Sequence, residues 1–130
     1  MKRKNFSSGA KWENIVGYSR AVRVGSQLEI SGTVSLNKEG EVVGEGDYYA
    51  QTNFILLKIE QILAEAGFEL RDVVRTRMYV IDISRWEEVG KAHGEFFRDI
   101  KPATSMVQVS ALIDPAYLVE IETTAIRAER

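Results

Sequence analysis

The chain has 130 residues, of which 45% are hydrophobic and 28% are charged, a composition typical of a globular protein with a packed core. Its 17 basic and 19 acidic side chains give a formal net charge of −2, which disfavours an electrostatic hold on nucleic acid or on an anionic membrane. The sequence has no cysteine and one histidine, and therefore excludes disulfides, thiolate metal sites and multi-histidine metal sites.

The length predicts a single domain over residues 1–130 that is large enough to bury a core. The basic segment 1–4 is not followed by an apolar run, so it does not have the pattern of a secretory signal. No stretch approaches the ~18 consecutive apolar residues of a membrane span. The cytoplasm is therefore the expected compartment.

The first half of the chain changes pattern near Arg20. Residues 1–17 show no clear period, which predicts an irregular arm. From Arg20 to residue 31, apolar and polar residues alternate on both sides of the Gly25-Ser26 pair. This pattern predicts a β-hairpin with its turn at that pair. Two further short extended segments are predicted at 34–36 and 42–43.

A long amphipathic helix is predicted over residues 48–66. Its apolar residues form a broad stripe that recurs every three to four positions, as in a helix packed on a core. Asp47 is the expected N-cap, because its carboxylate can accept a free backbone N–H, and Gly67 is the expected end. The β-branched and aromatic run 72–81 then predicts a strand.

The last third of the chain predicts a second helix and two strands. Ser84 and Glu87 have the spacing of a capping box at the start of a helix over about 85–98. Strands are expected over 106–112 and 118–126, the second with strict alternation of apolar and polar residues.

This order of elements predicts an α+β fold with a mostly antiparallel sheet and two helices on one face. The opposite face of that sheet would lack a covering layer within one chain. Self-association of sheet against sheet in a closed ring is the simplest way to cover it.

Several polar residues allow two interpretations. Glu120 and Glu122 fit either solvated side chains on a sheet face or a carboxylate that serves as general acid or base in a cleft. Thr104 and Ser105 either bond local amides or line the mouth of a pocket. His93 lies on the apolar stripe of the second helix, which favours a packed histidine over a catalytic base.

Taken together, these segments resemble the Rid family, the YjgF-type reactive imine deaminases. The resemblance covers about residues 14–127 and depends on several motifs in a fixed order. The motifs are Gly17–Val22, Ile30–Thr33, Ala64–Gly67, Asp72–Thr76, Phe96-Phe97, Pro102-Ala103 and Val119–Ala125.

The resemblance implies a chorismate-mutase-like fold and a homotrimer with small-molecule clefts between neighbouring subunits. It implies hydrolysis of 2-imino or enamino acids to keto acids and ammonia, without a metal or organic cofactor. Glu120 would position the attacking water or a proton. The substrate-binding positions implied by the resemblance are Tyr18, Gly32, Thr33, Thr104 and Ser105.

The sequence departs from the family pattern at the position after Pro102-Ala103. Family members carry an arginine there to hold the substrate carboxylate, whereas this chain carries Thr104. A threonine hydroxyl is a single neutral donor, whereas arginine is a bidentate cation worth about 1.5–3 kcal/mol per charged hydrogen bond. Thr33 and Gly90 also replace the usual glutamine and asparagine. The resemblance leaves open whether Arg20 supplies the missing charge.

Two functions from different classes therefore fit the sequence. The first is a Rid-like hydrolase of altered specificity, suggested by the retained Glu120. The second is a non-catalytic trimer that binds a small metabolite or docks a partner, suggested by Thr104. Ribonuclease activity, a label some family members carry, is disfavoured by the acidic balance and the single apolar-face histidine. We expect neither nucleic acid nor membrane as a partner.

Overall fold

The computed structural model describes residues 1–128 and contains one six-stranded sheet. The strands are β1 (Arg3–Phe6), β2 (Ala21–Val24), β3 (Gln27–Thr33), β4 (Val73–Val80), β5 (Ala103–Gln108) and β6 (Val119–Ile126). The helices are α1 (Lys11–Val16), α2 (Tyr48–Glu65) and α3 (Trp86–Phe97), with 3-10 turns at Leu70–Asp72 and Ile83–Arg85.

The sheet order is β1-β2-β3-β6-β4-β5, and every neighbouring pair is antiparallel except β4 and β5, which are parallel. The predicted α+β class with a mostly antiparallel sheet is confirmed. The hairpin of β2 and β3 around the Gly-Ser pair is confirmed as well. Because β6 lies between β3 and β4, its side chains stand near the centre of the sheet.

Helix α2 supplies the largest part of the core from the helical side. Its apolar stripe buries Ile55, Ile59 and Leu63 completely, and the helix packs against β3 and β6. The Asp47 carboxylate accepts a hydrogen bond from the Ala50 N–H at 2.9 Å, which confirms the predicted N-cap. Within residues 1–128, no helix is both long enough and apolar enough to cross a bilayer.

The long helices cover one face of the sheet and leave the other, the open face, without a covering element in the described chain. Strand β6 shows the division, because Val119 and Ile121 are buried while Glu120 and Glu122, which alternate with them, are only half-buried. Polar side chains on the open face include Glu29, Arg75, Arg77, Tyr79, Glu120, Glu122 and Thr124.

The prediction of an irregular arm over residues 1–17 is wrong. Residues 3–6 form the edge strand β1, and α1 follows. The buried Glu13 carboxylate orders this segment by accepting hydrogen bonds from the Ser7 hydroxyl and from the Ser8 N–H and hydroxyl. These contacts depend on the folded arrangement, and a four-residue strand is too short to show a period.

The predicted capping box at Ser84 is also wrong. The Ser84 N–H and hydroxyl both donate to Asp82 Oδ1, at 3.0 and 2.7 Å, in a local turn that starts a 3-10 segment. Helix α3 therefore begins at Trp86, without a side-chain cap from Arg85.

Strand β5 begins and ends earlier than the predicted 106–112. Its parallel pairing with β4 runs from Ala103 to Gln108, so this partner fixes its limits. The predicted extended segments at 34–36 and 42–43 contribute a single bridge between Leu36 and Val42.

Gln51 joins α2 to the loops on either side of it. The side chain is fully buried, and its Nε2 donates to the carbonyls of Gly44 at 3.2 Å and Ala116 at 2.9 Å. Its Oε1 accepts from the Leu118 N–H at 2.9 Å. One amide thus satisfies three backbone groups and fixes the chain that leads into β6.

We predict that Gln51→Ala lowers the free energy of unfolding by about 3 kcal/mol, because it leaves buried backbone groups unpaired and opens a cavity. Gln61→Ala, at an exposed position of the same helix, is the control and should change stability by less than about 0.5 kcal/mol. Urea denaturation measures both. Equal losses for the two variants would contradict this role of Gln51.

Candidate functional site

The centre of the open face holds a close contact between β3 and β6. The register of the two strands shifts between Ile30 and Thr33, and this irregularity places Gly32 against Glu120. A Cβ atom at Gly32 would overlap the Glu120 carboxylate and would lie 2.8 Å from its Cδ. A larger residue here would displace the carboxylate, so glycine lets the carboxylate lie directly over the backbone of β3.

Arg20 holds the same stretch of β3 from the side of the hairpin. Its Nη2 donates to the Gly32 carbonyl at 2.6 Å, while its Nε is buried without a hydrogen-bond partner within residues 1–128. Burial lowers the pKa of Arg20, and the nearby Tyr18, Glu13 and Glu120 oppose that shift. The guanidinium thus fixes the Gly32 carbonyl and places positive charge near Glu120.

Burial raises the pKa of Glu120 above the ordinary value for a glutamate, and the neighbouring Glu122 charge raises it further. The Arg20 charge acts in the opposite direction. Glu122 is differently placed, because its Oε1 accepts a hydrogen bond from the Tyr79 hydroxyl at 2.8 Å. Glu120 therefore holds a proton more readily than an exposed glutamate, which suits a group that both takes and returns a proton.

Tyr18 lies at the rim of this region. Gly17 ends α1 with a left-handed φ of 89°, and the N–H groups of both residues donate to the Glu13 carbonyl. This turn leaves the Tyr18 ring exposed beside a shallow groove whose lining includes Ser19 and Ser31. The structure thus brings Tyr18, Gly32 and Glu120 around Arg20.

Thr33 lies on the other side of β3. Its side chain is fully buried, and its hydroxyl donates to the Ser31 carbonyl at 2.9 Å. The strand alternation that turns Gly32 to the open face turns the next side chain toward the helices. Only the backbone of Thr33 is available to a ligand on the open face.

Thr104 and Ser105 lie on the edge strand β5 and point to opposite faces. The Ser105 hydroxyl accepts from Arg75 Nη2 at 2.9 Å on the open face. Thr104 Oγ1 is on the helical side, 2.8 Å from Thr76 Oγ1, and Thr76 Oγ1 is 2.9 Å from Nε2 of His93. The two neighbouring residues therefore belong to different environments.

His93 packs into the helical layer, as the sequence analysis predicts. Its ring lies 4.7 Å from the Phe97 ring, measured between centroids, and burial lowers its pKa below the ordinary value for histidine. Burial therefore favours the neutral form of the imidazole.

The described chain forms two separate clusters. The first, around Glu120, lies on the open face, and the second, around Thr104, lies on the helical side of the sheet edge. Within the part of the chain that the structure describes, Glu120 and Thr104 lie on opposite sides of the sheet. No group of three or more His, Asp or Glu side chains within residues 1–128 is arranged to hold a metal ion.

Two polar residues near these clusters were missed by the sequence analysis. Thr76 is fully buried and connects Thr104 to His93, although its β-branched side chain fits the strand pattern and gives no signal. Lys58 of α2 donates to the carbonyls of Val34 and Leu36 at 2.9 and 2.8 Å. Burial, together with the Arg20 charge, lowers the pKa of Lys58 to about 8.

Comparisons with known proteins agree with one another. Residues 9–127 match the family model described as Endoribonuclease L-PSP. A crystal structure from Mycobacterium tuberculosis, described as a member of the highly conserved YjgF family, superposes with a TM-score of 0.87 at 49% identity, covering 97% of this chain and 100% of that one.

Two sequence relatives extend this similarity. An uncharacterized protein of Streptomyces coelicolor is 34% identical over 95% of this chain and 92% of its own length. A protein of Acinetobacter baylyi named 3-aminoacrylate deaminase RutC is 32% identical over 83% of this chain and 85% of its own length. The matched sequence model, the relatives and the shared six-stranded fold lead to one conclusion: the chain belongs to the Rid/YjgF family.

Proposed function

We propose that the protein is a small-molecule hydrolase that releases ammonia from an imine or enamine, with Glu120 as the proton-transferring group. The observation that carries this proposal is the Glu120 carboxyl, packed on Gly32 with a raised pKa. The relative named 3-aminoacrylate deaminase supports the substrate class, because 3-aminoacrylate is an enamine.

The proposed reaction needs one group that accepts a proton and later returns it. Water attacks the carbon of a protonated C=N bond while the Glu120 carboxylate takes a proton from it, which gives a neutral carbinolamine with nitrogen and hydroxyl on the same carbon. An enamine reaches the same protonated C=N bond by taking a proton from solvent at carbon. Protonated Glu120 then gives its proton to nitrogen, the C–N bond breaks, and the hydroxyl proton passes to the departing ammonia as the carbonyl forms, so that Glu120 is again a carboxylate. A raised pKa suits both steps, since general acid–base catalysis is most efficient near the working pH.

A homotrimer would complete the site. In one chain Glu120 and Thr104 lie on opposite sides of the sheet, and the open face carries half-buried charges without a covering layer. We propose that open faces pack in a closed ring, so that the β5 edge of one subunit, with Thr104 and Ser105, meets Tyr18, Gly32 and Glu120 of its neighbour. Thr33 would contribute its backbone only.

The second candidate function is binding without turnover in the same cleft. It is favoured by Thr104, a neutral hydroxyl at the position where the family pattern has an arginine. A binding module would keep Glu120 as an acceptor for a ligand N–H or O–H group and would release no ammonia. Neither candidate uses nucleic acid, and we expect no RNA cleavage by the purified protein.

We predict that Glu120→Gln lowers the rate of ammonia release by roughly 100-fold or more, the usual worth of a general acid–base group. The substrates are 2-iminopropanoate, generated in place by an amino-acid oxidase, and a panel of uncharged imines. Glu29→Gln, an exposed glutamate on the same face, is the control and should retain turnover.

In the unsubstituted protein, turnover should fall as pH is lowered through the raised pKa of Glu120, because only the carboxylate accepts the proton of water.

If Glu120→Gln turns over as fast as the unsubstituted protein, Glu120 is not the proton-transferring group. If the unsubstituted protein accelerates no substrate in the panel, the hydrolase proposal fails and the binding function replaces it.

We predict that sedimentation velocity shows a species of three chains of 14.7 kDa each. Val107→Asp should dissociate it, because Val107 is 46% exposed on the β5 edge and a buried unpaired charge is costly. Leu57→Asp is the control, with a side chain 48% exposed on α2. A stable single chain for the unsubstituted protein would contradict the two-subunit site.

A further inference from the structure

A chain of hydrogen bonds runs from the helical layer to the exposed edge of the sheet. His93 Nε2 lies 2.9 Å from Thr76 Oγ1, and Thr76 Oγ1 lies 2.8 Å from Thr104 Oγ1. The Thr104 hydroxyl in turn donates to the Pro102 carbonyl at 3.1 Å. Thr76 is fully buried and Thr104 is exposed, so the chain connects the interior to the surface.

The three contacts fix the direction of every proton in this chain. A carbonyl only accepts, so the Thr104 hydrogen points to Pro102. Thr104 must then accept the hydrogen of Thr76, and Thr76 must accept from an N–H on Nε2 of His93. All three contacts therefore require the Nε2–H tautomer of the imidazole. In such a series each bond polarises the next, which makes the terminal Thr104 hydroxyl a better donor.

At its exposed end the chain presents a donor beside an acceptor. The Thr104 hydroxyl and the Pro102 carbonyl have their oxygen atoms 3.1 Å apart and are bonded to each other without a ligand. A ligand would exchange this bond: the Thr104 hydrogen turns to the ligand as donor, and the Pro102 carbonyl becomes an acceptor for the ligand. A carboxamide or ureido edge has the complementary pair, a C=O that accepts from Thr104 and an N–H that donates to Pro102. A carboxylate has two acceptors and no hydrogen to offer, so one of its oxygens would face the Pro102 carbonyl.

We propose that Thr104 and Pro102 bind an uncharged amide-type edge of the ligand, and that Thr76 and His93 are positioning residues that orient the Thr104 hydroxyl. The neutral imidazole adds no positive charge to attract an anion. This inference names the ligand chemistry of the site in the proposed function and rests on that function for the location of the ligand.

Binding of two matched probes tests the inference. Pyruvamide and pyruvate share a carbon skeleton and differ in carboxamide against carboxylate. Titrations followed by amide NMR shifts should show tighter binding of pyruvamide. Thr104→Val should weaken pyruvamide binding roughly threefold to tenfold, the worth of one neutral hydrogen bond, without a comparable loss for pyruvate.

The positioning role is tested by substitutions at Thr76. Thr76→Val should weaken pyruvamide binding, and Thr76→Ser, which keeps the hydroxyl, should retain it. Thr123→Val is the matched control, because Thr123 is the buried cross-strand neighbour of Thr76 and its hydroxyl has no hydrogen-bond partner within residues 1–128. Loss of affinity in the control equal to that of Thr76→Val would overturn the positioning role.

The proton order has its own readout, because His93 is the single histidine of the sequence. The ¹⁵N shifts of its ring should report the Nε2–H tautomer at neutral pH, and an Nδ1–H tautomer would overturn the assigned direction. Pyruvate binding as tightly as pyruvamide, or no saturable binding of either probe, would overturn the amide preference.

These measurements separate the two proposals, because neither binding nor tautomer requires turnover. An amide preference in a protein that releases no ammonia leaves this inference standing and removes the hydrolase. Ammonia release together with a preference for pyruvate leaves the hydrolase proposal standing and removes the amide preference.

Discussion

The site depends on the close packing of the Glu120 carboxylate over the backbone of Gly32. In most cross-strand pairs the Cβ atom of each residue keeps the opposite side chain away from the backbone. Gly32 has no Cβ, and the Glu120 carboxylate can therefore lie against the backbone of the neighbouring strand. Burial there raises the pKa of the carboxyl, while Arg20 holds the adjoining carbonyl in place. The proton transfer that we propose for this face depends on that one contact.

The rest of the fold keeps this contact in the middle of a rigid sheet. Strand β6 is paired on both sides, by β3 and β4, and its buried residues pack under α2. The same strand therefore supplies core on one face and a titratable group on the other. Gln51 fixes the loop that leads into β6, so a side chain of α2 helps to determine where the strand begins.

The sequence predicts those features that depend on local periodicity and on cap chemistry. The order of residues alone predicts the apolar stripe of α2, the Asp47 cap and the alternation of apolar and polar residues in β6. This alternation places Glu120 on the face of β6 that points away from the core. The family resemblance adds Gly32 and Tyr18 as partners.

Features that depend on distant partners were not predictable in this way. Strand β1 is ordered by pairing with β2, and β5 takes its limits from β4. Asp82 captures Ser84 and delays the start of α3 by a local turn that competes with the capping box. Thr33 follows an irregularity in β3 that no period reveals, and this irregularity turns its side chain into the core.

The two sides of the sheet carry separate groups of polar residues. Thr104 lies on an exposed strand, and the fully buried Thr76, with the half-buried His93 behind it, gives the Thr104 hydroxyl a defined direction. The Glu120 cluster lies on the opposite side of the sheet and keeps its contacts. The ligand recognition proposed for Thr104 and the proton transfer proposed for Glu120 therefore depend on separate parts of the fold.

The decisive measurement is the titration of the Glu120 side-chain carboxyl, followed by carbon NMR with the Gly32 amide as a second reporter. We expect a midpoint above the ordinary value for glutamate, seen by both nuclei, and a lower midpoint when Glu122→Gln removes the neighbouring charge. A midpoint at or below the ordinary value, or a Gly32 amide that does not respond, would show that the carboxyl is neither buried nor packed on β3.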